Sequence, residues 1–375
     1  MSDNMSDREA GRGAGGAVTA VAEGEDGSGR AASGSLTQDT SGRSLSPAAL
    51  ASLLVVGLLA VLVTLFLLFA LPAVHSGPHH VPIGLVGDPT LVAGVGQGLE
   101  SAQPGAFDAA VYDDEQALRD AILDREVYGG FVLDGEGERV LVASAAGPPV
   151  AQTLTAAGTA LAAKTGMTAQ TEDVRPLPAD DPRGAGFTAV ALPLTFGGLI
   201  SAIALVYLFP RRRWFRAGLA VAFSLVAGAV LAVILKYWFG SVDGNVWAVG
   251  AGLALGMAAI VLAVLGLESV AGKAGLYLGI ILMIPVANPL SGALSGPQWL
   301  PSGWGAFGQF LPPGANASLL RSTGFFDGAA ALRPGLVLGA WVVLGLLLCG
   351  LAGLRQRRTT PVRETRSLAA ETPAR

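Results

Sequence analysis

Arg211-Arg212-Arg213-Trp214-Phe215-Arg216 lies between two long apolar runs, Thr188–Phe209 and Ala217–Phe239. Each run is about twenty residues, the length an α-helix needs to cross a hydrocarbon core of roughly 30 Å. Short basic connections resist translocation, so four arginines in this one hold it on the cytoplasmic side. The sidedness of every other segment follows from that hairpin.

Composition points the same way. Of 375 residues, 51% are hydrophobic and only 14% charged, and the mean hydropathy is +0.54. Soluble domains carry about a quarter charged residues, so an integral membrane protein is expected. The formal net charge of −4 hides an uneven distribution and identifies no partner. Arginine far outnumbers lysine (Lys164, Lys236 and Lys273 only), which with abundant Ala and Gly suggests a GC-rich bacterial genome. The single cysteine, Cys349, sits in an apolar run; it excludes an intrachain disulfide and a Cys-based metal site, and reads as a small packed residue.

The chain then partitions by pattern. Residues 1–46 are rich in Gly, Ser, Ala and acids and cannot bury enough apolar surface to order themselves, so a disordered cytoplasmic tail is expected. Residues 47–74 hold the first span, Leu53–Leu71, read as an uncleaved anchor. Residues 75–186 have the pattern of a soluble α/β domain: strands at Val81–Gly87, Phe107–Tyr112, Tyr128–Leu133 and Arg139–Ser144, and helices at Leu91–Ser101, from an Asp113/Gln116 capping box to about Val127, and after Pro148-Pro149. The last helix should bury Val150, Leu154, Ala157 and Leu161. This domain is strongly acidic, which suits translocation. Spans two to five follow within 187–290 (Thr188–Phe209, Ala217–Phe239, Val246–Leu267, Ala274–Leu290), and the sixth is 335–354.

With Arg211, Arg212, Arg213 and Arg216 inside, the tail over 355–375 is also inside, and its cluster Arg355, Arg357 and Arg358 agrees independently. The expected fold is thus a polytopic α-helical membrane protein of six transmembrane helices, with an extracellular α/β domain between helices 1 and 2. The outer loop 291–334 carries Trp299, Trp304, Phe307, Phe310, Phe325 and Phe326, broken by prolines. Its aromatic density favours short helices in or on the outer leaflet.

Few residues suggest chemistry. Lys236, beside Tyr237 and Trp238, reads as a snorkelling side chain, with substrate contact as the sharper alternative. Glu268 reads as one half of a solvated loop pair with Lys273, and Asn288 before Pro289 as an interhelical hydrogen bond or cap. Gly266 to Ala274 fails as a phosphate-binding loop by spacing and by its missing hydroxyl. His75, His79 and His80 flank the outer membrane boundary; the adjacent His79 and His80 could help bind a metal, but no third ligand is suggested nearby, and a polar linker is the better reading. No catalytic residue, cofactor, metal or nucleic-acid partner is expected, and the chain does not read as an enzyme. The spans supply no central carboxylate to take up a proton, which leaves a proton-driven efflux half-pump as a lesser alternative. The pairs Gly252/Gly256, Gly275/Gly279 and Gly335/Gly339 favour close helix packing and leave a homodimer open.

One span, an α/β outer domain, five spans and a Pro/aromatic outer loop before the last resembles the YhgE/Pip group of bacterial membrane proteins, allied to the permeases of type 2 ABC exporters. The local cues are Val81-Pro82-Ile83-Gly84-Leu85-Val86, Ala191-Leu192-Pro193-Leu194, Asn288-Pro289-Leu290-Ser291-Gly292, and Leu311-Pro312-Pro313-Gly314 through Leu320-Arg321. The last resembles the proline-to-arginine segment before the final span of such permeases, which makes Arg321 a functional candidate. The resemblance implies a plasma-membrane permease that exports a lipid-like, peptide or drug-like substrate with a separate ATPase. The alternative is a non-transporting scaffold or receptor of the Pip type whose outer domain binds a partner. The inner connections Pro210–Arg216 and Glu268–Lys273 are short for a helix that would dock an ATPase.

Overall fold

Five strands and twelve helices organise the described residues, which in this computed structural model are 46–134, 137–166, 168–293 and 295–359. The tail expected over 1–46 falls outside them apart from Ser46, as does the tail over 355–375 apart from the backbone of 355–359. The chain divides into two compact units, Met1–Val55 and Val56–Arg375. The described part of the first is the opening of helix α1, Pro47–Val74.

In the second unit, β1 (Val81–Gly87) pairs in parallel with β2 (Phe107–Val111) and β3 (Gly129–Asp134). β4 (Gly137–Val142) returns antiparallel to β3, and β5 (Ala169–Asp173) runs parallel to β4, giving the order β2-β1-β3-β4-β5. Val81, Ile83, Leu85 and Phe131 are fully enclosed, as expected for central strands covered by helices. Those covers are α2 (Pro89–Ala102), α3 (Glu115–Leu123) and α4 (Pro148–Thr165). α3 buries Leu118, Ala121 and Ile122, and α4 buries Val150 and Leu154.

Three local expectations need correction. The cap of α3 is Asp114, whose Oδ1 accepts from the Ala117 amide at 2.8 Å; Gln116 instead donates to Asp120 at 2.9 Å. The helix stops at Leu123 rather than near Val127, because Arg125 adopts φ +63° and cannot continue it. β5 was not expected: Ala-Gln-Thr-Glu-Asp lacks aliphatic alternation, and its place comes from pairing with β4 and from the Glu172–Arg119 ion pair.

The helical part comprises α5 (Ala185–Ala189), α6 (Ala191–Leu208), α7 (Arg213–Val233, continued by a π turn to Trp238), α8 (Val246–Ala271), α9 (Lys273–Ile281), α10 (Trp304–Gly308), α11 (Pro312–Phe325) and α12 (Leu332–Thr359). Among the described residues five helices are long and apolar enough to cross a membrane: Pro47–Pro72, Ala185–Leu208, Arg213–Trp238, Val246–Ala271 and Leu332–Leu354. The segment expected as a span at Ala274–Leu290 is a shorter apolar helix, Lys273–Ala287. At about 1.5 Å per residue it reaches about 22 Å. Pro285 has no N–H for the helical ladder, and the chain around it widens to π spacing.

α8 is the hub. In its membrane-length window 78% of the residues are buried, against 39% or less for the other four. α7 and α12 pack against it most extensively; on the α12 side a Cβ on Gly345 would meet the Leu262 carbonyl oxygen at 2.3 Å, and one on Gly266 the Gly345 carbonyl oxygen at 2.7 Å. Of the expected small-residue pairs, Gly252/Gly256 and Gly275/Gly279 sit at helix contacts, whereas Gly335 and Gly339 face nothing within 4 Å. In α1, by contrast, the apolar side chains from Val56 to Phe69 are exposed, apart from the half-buried Leu68.

Candidate functional site

α11 should be a surface helix by its position in an outer loop, yet every residue in it except Ser318 is buried. Two stripes explain this. Asn316, Leu319 and Thr323 face α8, where a Cβ on Gly256 would meet Asn316 Oδ1 at 2.0 Å and one on Gly252 would meet Leu319 Cγ at 3.5 Å. Ser318 and Ser322, one turn apart, lie on the side that meets the sheet domain, while the Arg321 and Phe325 side chains pack against Phe187 of α5. α11 is therefore packed inside protein, with only its flanks near a solvent or lipid boundary.

Guanidiniums make that junction. Arg125, in the turn after α3, donates through Nη1 to the Ser322 hydroxyl and, at 3.2 Å, to the Ser318 carbonyl. Its Cζ lies 5.5 Å from the centre of the Phe326 ring. Arg175 donates through Nε to the Phe325 carbonyl and reaches Asp327 at 3.5 Å. Arg321 is 2% exposed; it donates to the Ala293 carbonyl at 3.1 Å and stacks over Phe187 at 5.2 Å. Tyr128, at the start of β3, donates to Gln298 Oε1. Burial lowers the Arg125 pKa, while burial and then the charge of Arg125 bring Arg321 down to about 10. Among the described residues no carboxylate forms an ion pair with either. Two desolvated cations thus repel each other with only carbonyl, hydroxyl and aromatic partners.

A cleft of about 830 Å³ opens beside them, between the sheet domain and the α10–α12 segment. Arg125, Tyr128 and His79 form its inner wall, and Phe310, Arg333 and Leu336 its mouth. Its volume suits a small organic molecule. Four described non-glycine residues have positive φ, and three of them, His80 (49°), Arg125 (63°) and Ala330 (56°), line this cleft. Such conformations cost of order 1–3 kcal/mol each and gather where a site dictates them.

Of the residues singled out in the sequence, His79 and His80 line the cleft and Arg321 stands just behind its wall; the others fall elsewhere. Lys236 donates from Nζ to the Gly244 carbonyl at 2.6 Å and the Asp243 carbonyl at 3.2 Å, so it closes the turn before α8. Glu268 does not pair with Lys273. It meets Arg216 at 2.9 Å, and Arg216 is buried rather than solvated with its neighbours, because Ala217 and Ala220 let α7 lie close to α8. Arg211 and Arg212 are exposed and Arg213 half-buried. The Asn288 backbone carbonyl accepts from the Ser291 hydroxyl at 2.7 Å. The backbone of Arg355, Arg357 and Arg358 extends α12; their side chains lie outside the described residues. Arg125, Tyr128, Arg175 and Arg333 were missed. Nothing in Asp124-Arg125-Glu126 separates a junction arginine from an ordinary surface one, since its partners lie nearly 200 positions away (|i−j| 197 for Ser322). No family model matches the chain, and searches of curated proteins and of solved structures return no match.

Proposed function

We propose that this chain is the membrane-spanning permease subunit of an exporter, powered by a separate ATPase and akin to the YhgE/Pip and type 2 ABC exporter permeases. In this reading the short helix Lys273–Ala287 with Asn288–Leu290 completes a sixth crossing, residues 75–186 lie outside a bacterial plasma membrane, and both termini lie inside. The observation that supports it is α11: a helix with one side against the hub α8 and the other hydrogen-bonded to the outer domain ties that domain to the bundle. A domain merely tethered for partner recognition needs no such brace. A brace is what carries a bundle movement outward.

The test is to purify the full chain from its source membrane with candidate ATPases encoded beside it, and to measure ATP hydrolysis. Stable co-purification with hydrolysis stimulated several-fold is the expected result. No bound ATPase, together with loss of a partner on removing residues 76–186, would leave the scaffold or receptor reading instead. One observation favours that second reading: the connections Phe209–Arg212 and Gly272, on the side opposite the sheet domain, offer no helix for an ATPase to grip.

A further inference from the structure

We propose that the cleft between the sheet domain and the α10–α12 segment holds an anionic phospholipid, its phosphate seated on the Arg125 guanidinium and its acyl chains running along the first turns of α12. The proposal deepens the membrane reading above and is independent of the ATPase.

Charge comes first. Arg125 uses Nη1 on α11 and has no carboxylate partner among the described residues. A phosphate is the natural complement, since a guanidinium offers a planar fork of donors that matches two phosphate oxygens, and a charge-assisted bond is roughly twice as strong as a neutral one. Arg321 stands behind Arg125 and adds its field without reaching the cleft. Arg333 guards the mouth with its Cζ 6.0 Å from the Phe310 ring centre. Glu126 is the one carboxylate on the wall; it is exposed and forms no ion pair with Arg125 among the described residues. His79 and His80 are turned onto the Gly77 carbonyl and Asp108.

Shape and polarity decide between a lipid and a soluble anion. The other wall is apolar: Phe310, Leu332, Leu336 and Val337, with Leu332 77% and Leu336 65% exposed. Leu332 and Leu336 open a helix long and apolar enough to cross a membrane. The apolar wall therefore continues from the cleft along α12, as acyl chains require and a free phosphate ester does not. The three positive-φ residues hold the polar end in a fixed shape before any ligand arrives.

The experiment uses the full chain, delipidated in a nonionic detergent. Dioleoyl phosphatidylglycerol, dioleoyl phosphatidylcholine and glycerol 3-phosphate are each titrated while thermal unfolding and binding are followed. Phosphatidylglycerol should bind at least tenfold more tightly than phosphatidylcholine and raise the Tm by several degrees, with the advantage shrinking in high salt. Arg333→Gln, at the exposed mouth, should lower that affinity several-fold without changing the ligand-free Tm; Arg125→Gln should abolish the preference. Equal binding of the two lipids overturns the site. Glycerol 3-phosphate matching phosphatidylglycerol overturns the lipid and leaves a soluble phosphate ester. If Arg125→Gln fails to fold, Arg333→Gln decides, and unchanged affinity there also overturns the proposal. Lipid selectivity without any ATPase partner would leave this site standing while the exporter reading falls.

Discussion

Arg216, in the first turn of α7, places Nη2 2.9 Å from Glu268 Oε2, in the last turn of α8. The Arg216 side chain is 2% exposed and that of Glu268 16%. Arg216 Nε and Nη1 and Glu268 Oε2 find no hydrogen-bond partner among the described residues, so the contact is an ion pair, and the carboxylate is what balances this cation. Removing one member of a buried pair strands the other and typically costs about 3–5 kcal/mol. Glu268→Ala should accordingly lower thermal stability in detergent sharply, and Arg216→Met combined with Glu268→Leu should recover most of the loss. A single variant as stable as the parent would refute this.

Glu138 on β4 is 1% exposed beneath α4, and neither carboxylate oxygen has a partner among the described residues. Burial raises its pKa to about 7. The folded domain therefore prefers the protonated acid, while the unfolded chain ionises near the usual carboxylate value of about 4.3. Below that value both states hold the proton and stability is unaffected. Between there and pH 7 the folded state binds more protons than the unfolded one, so stability falls as pH rises, by up to about 3 kcal/mol. Thermal unfolding from pH 4.5 to 8 should show this decline, and Glu138→Gln should flatten it.

Gly345 and Gly339 lie on one helix with opposite surroundings. A side chain at Gly345 meets the α8 backbone, while one at Gly339 meets open space. Gly345→Leu should force α8 and α12 apart at a cost of about 2 kcal/mol or more, whereas Gly339→Leu should be nearly neutral. Comparable effects of the two, read from yield and Tm, would contradict the packing.

Sidedness is accessible to labelling because the natural thiol, Cys349, is buried. In a Cys349→Ala background, Ser101→Cys on the outer domain should react with an impermeant maleimide on intact cells. Arg211→Cys should react only after the membrane is opened. Labelling of Arg211→Cys on intact cells would reverse the proposed topology.

Much of the fold was legible because hydropathy and strand alternation are local. The runs at Thr188–Phe209, Ala217–Phe239, Val246–Leu267 and Gly335–Leu354 became long helices, and the first three strands fell within a residue or so of their expected places. What failed was decided by distant partners. Glu268 looked solvated until α7 brought Arg216 to it. β5 has no apolar pattern of its own, and α11 reads as an outer-loop helix because its polar Asn316, Arg321 and Ser322 hide inside protein. The cleft escaped notice because Arg125 and Arg333 come to line one cleft only in the folded chain.

The bracing helix also sets an order of assembly. Residues 312–325 leave the ribosome after the sheet domain and after α5–α9, yet they carry the hydroxyl and carbonyls that Arg125 and Arg175 grip. The sheet domain and α5–α9 can each form early, but the latch between them is synthesised later, and α12 later still. A nascent chain stopped short of Pro312 would leave an open trench along α8 and two arginines without their acceptors, a state that membrane proteases could distinguish from the finished molecule.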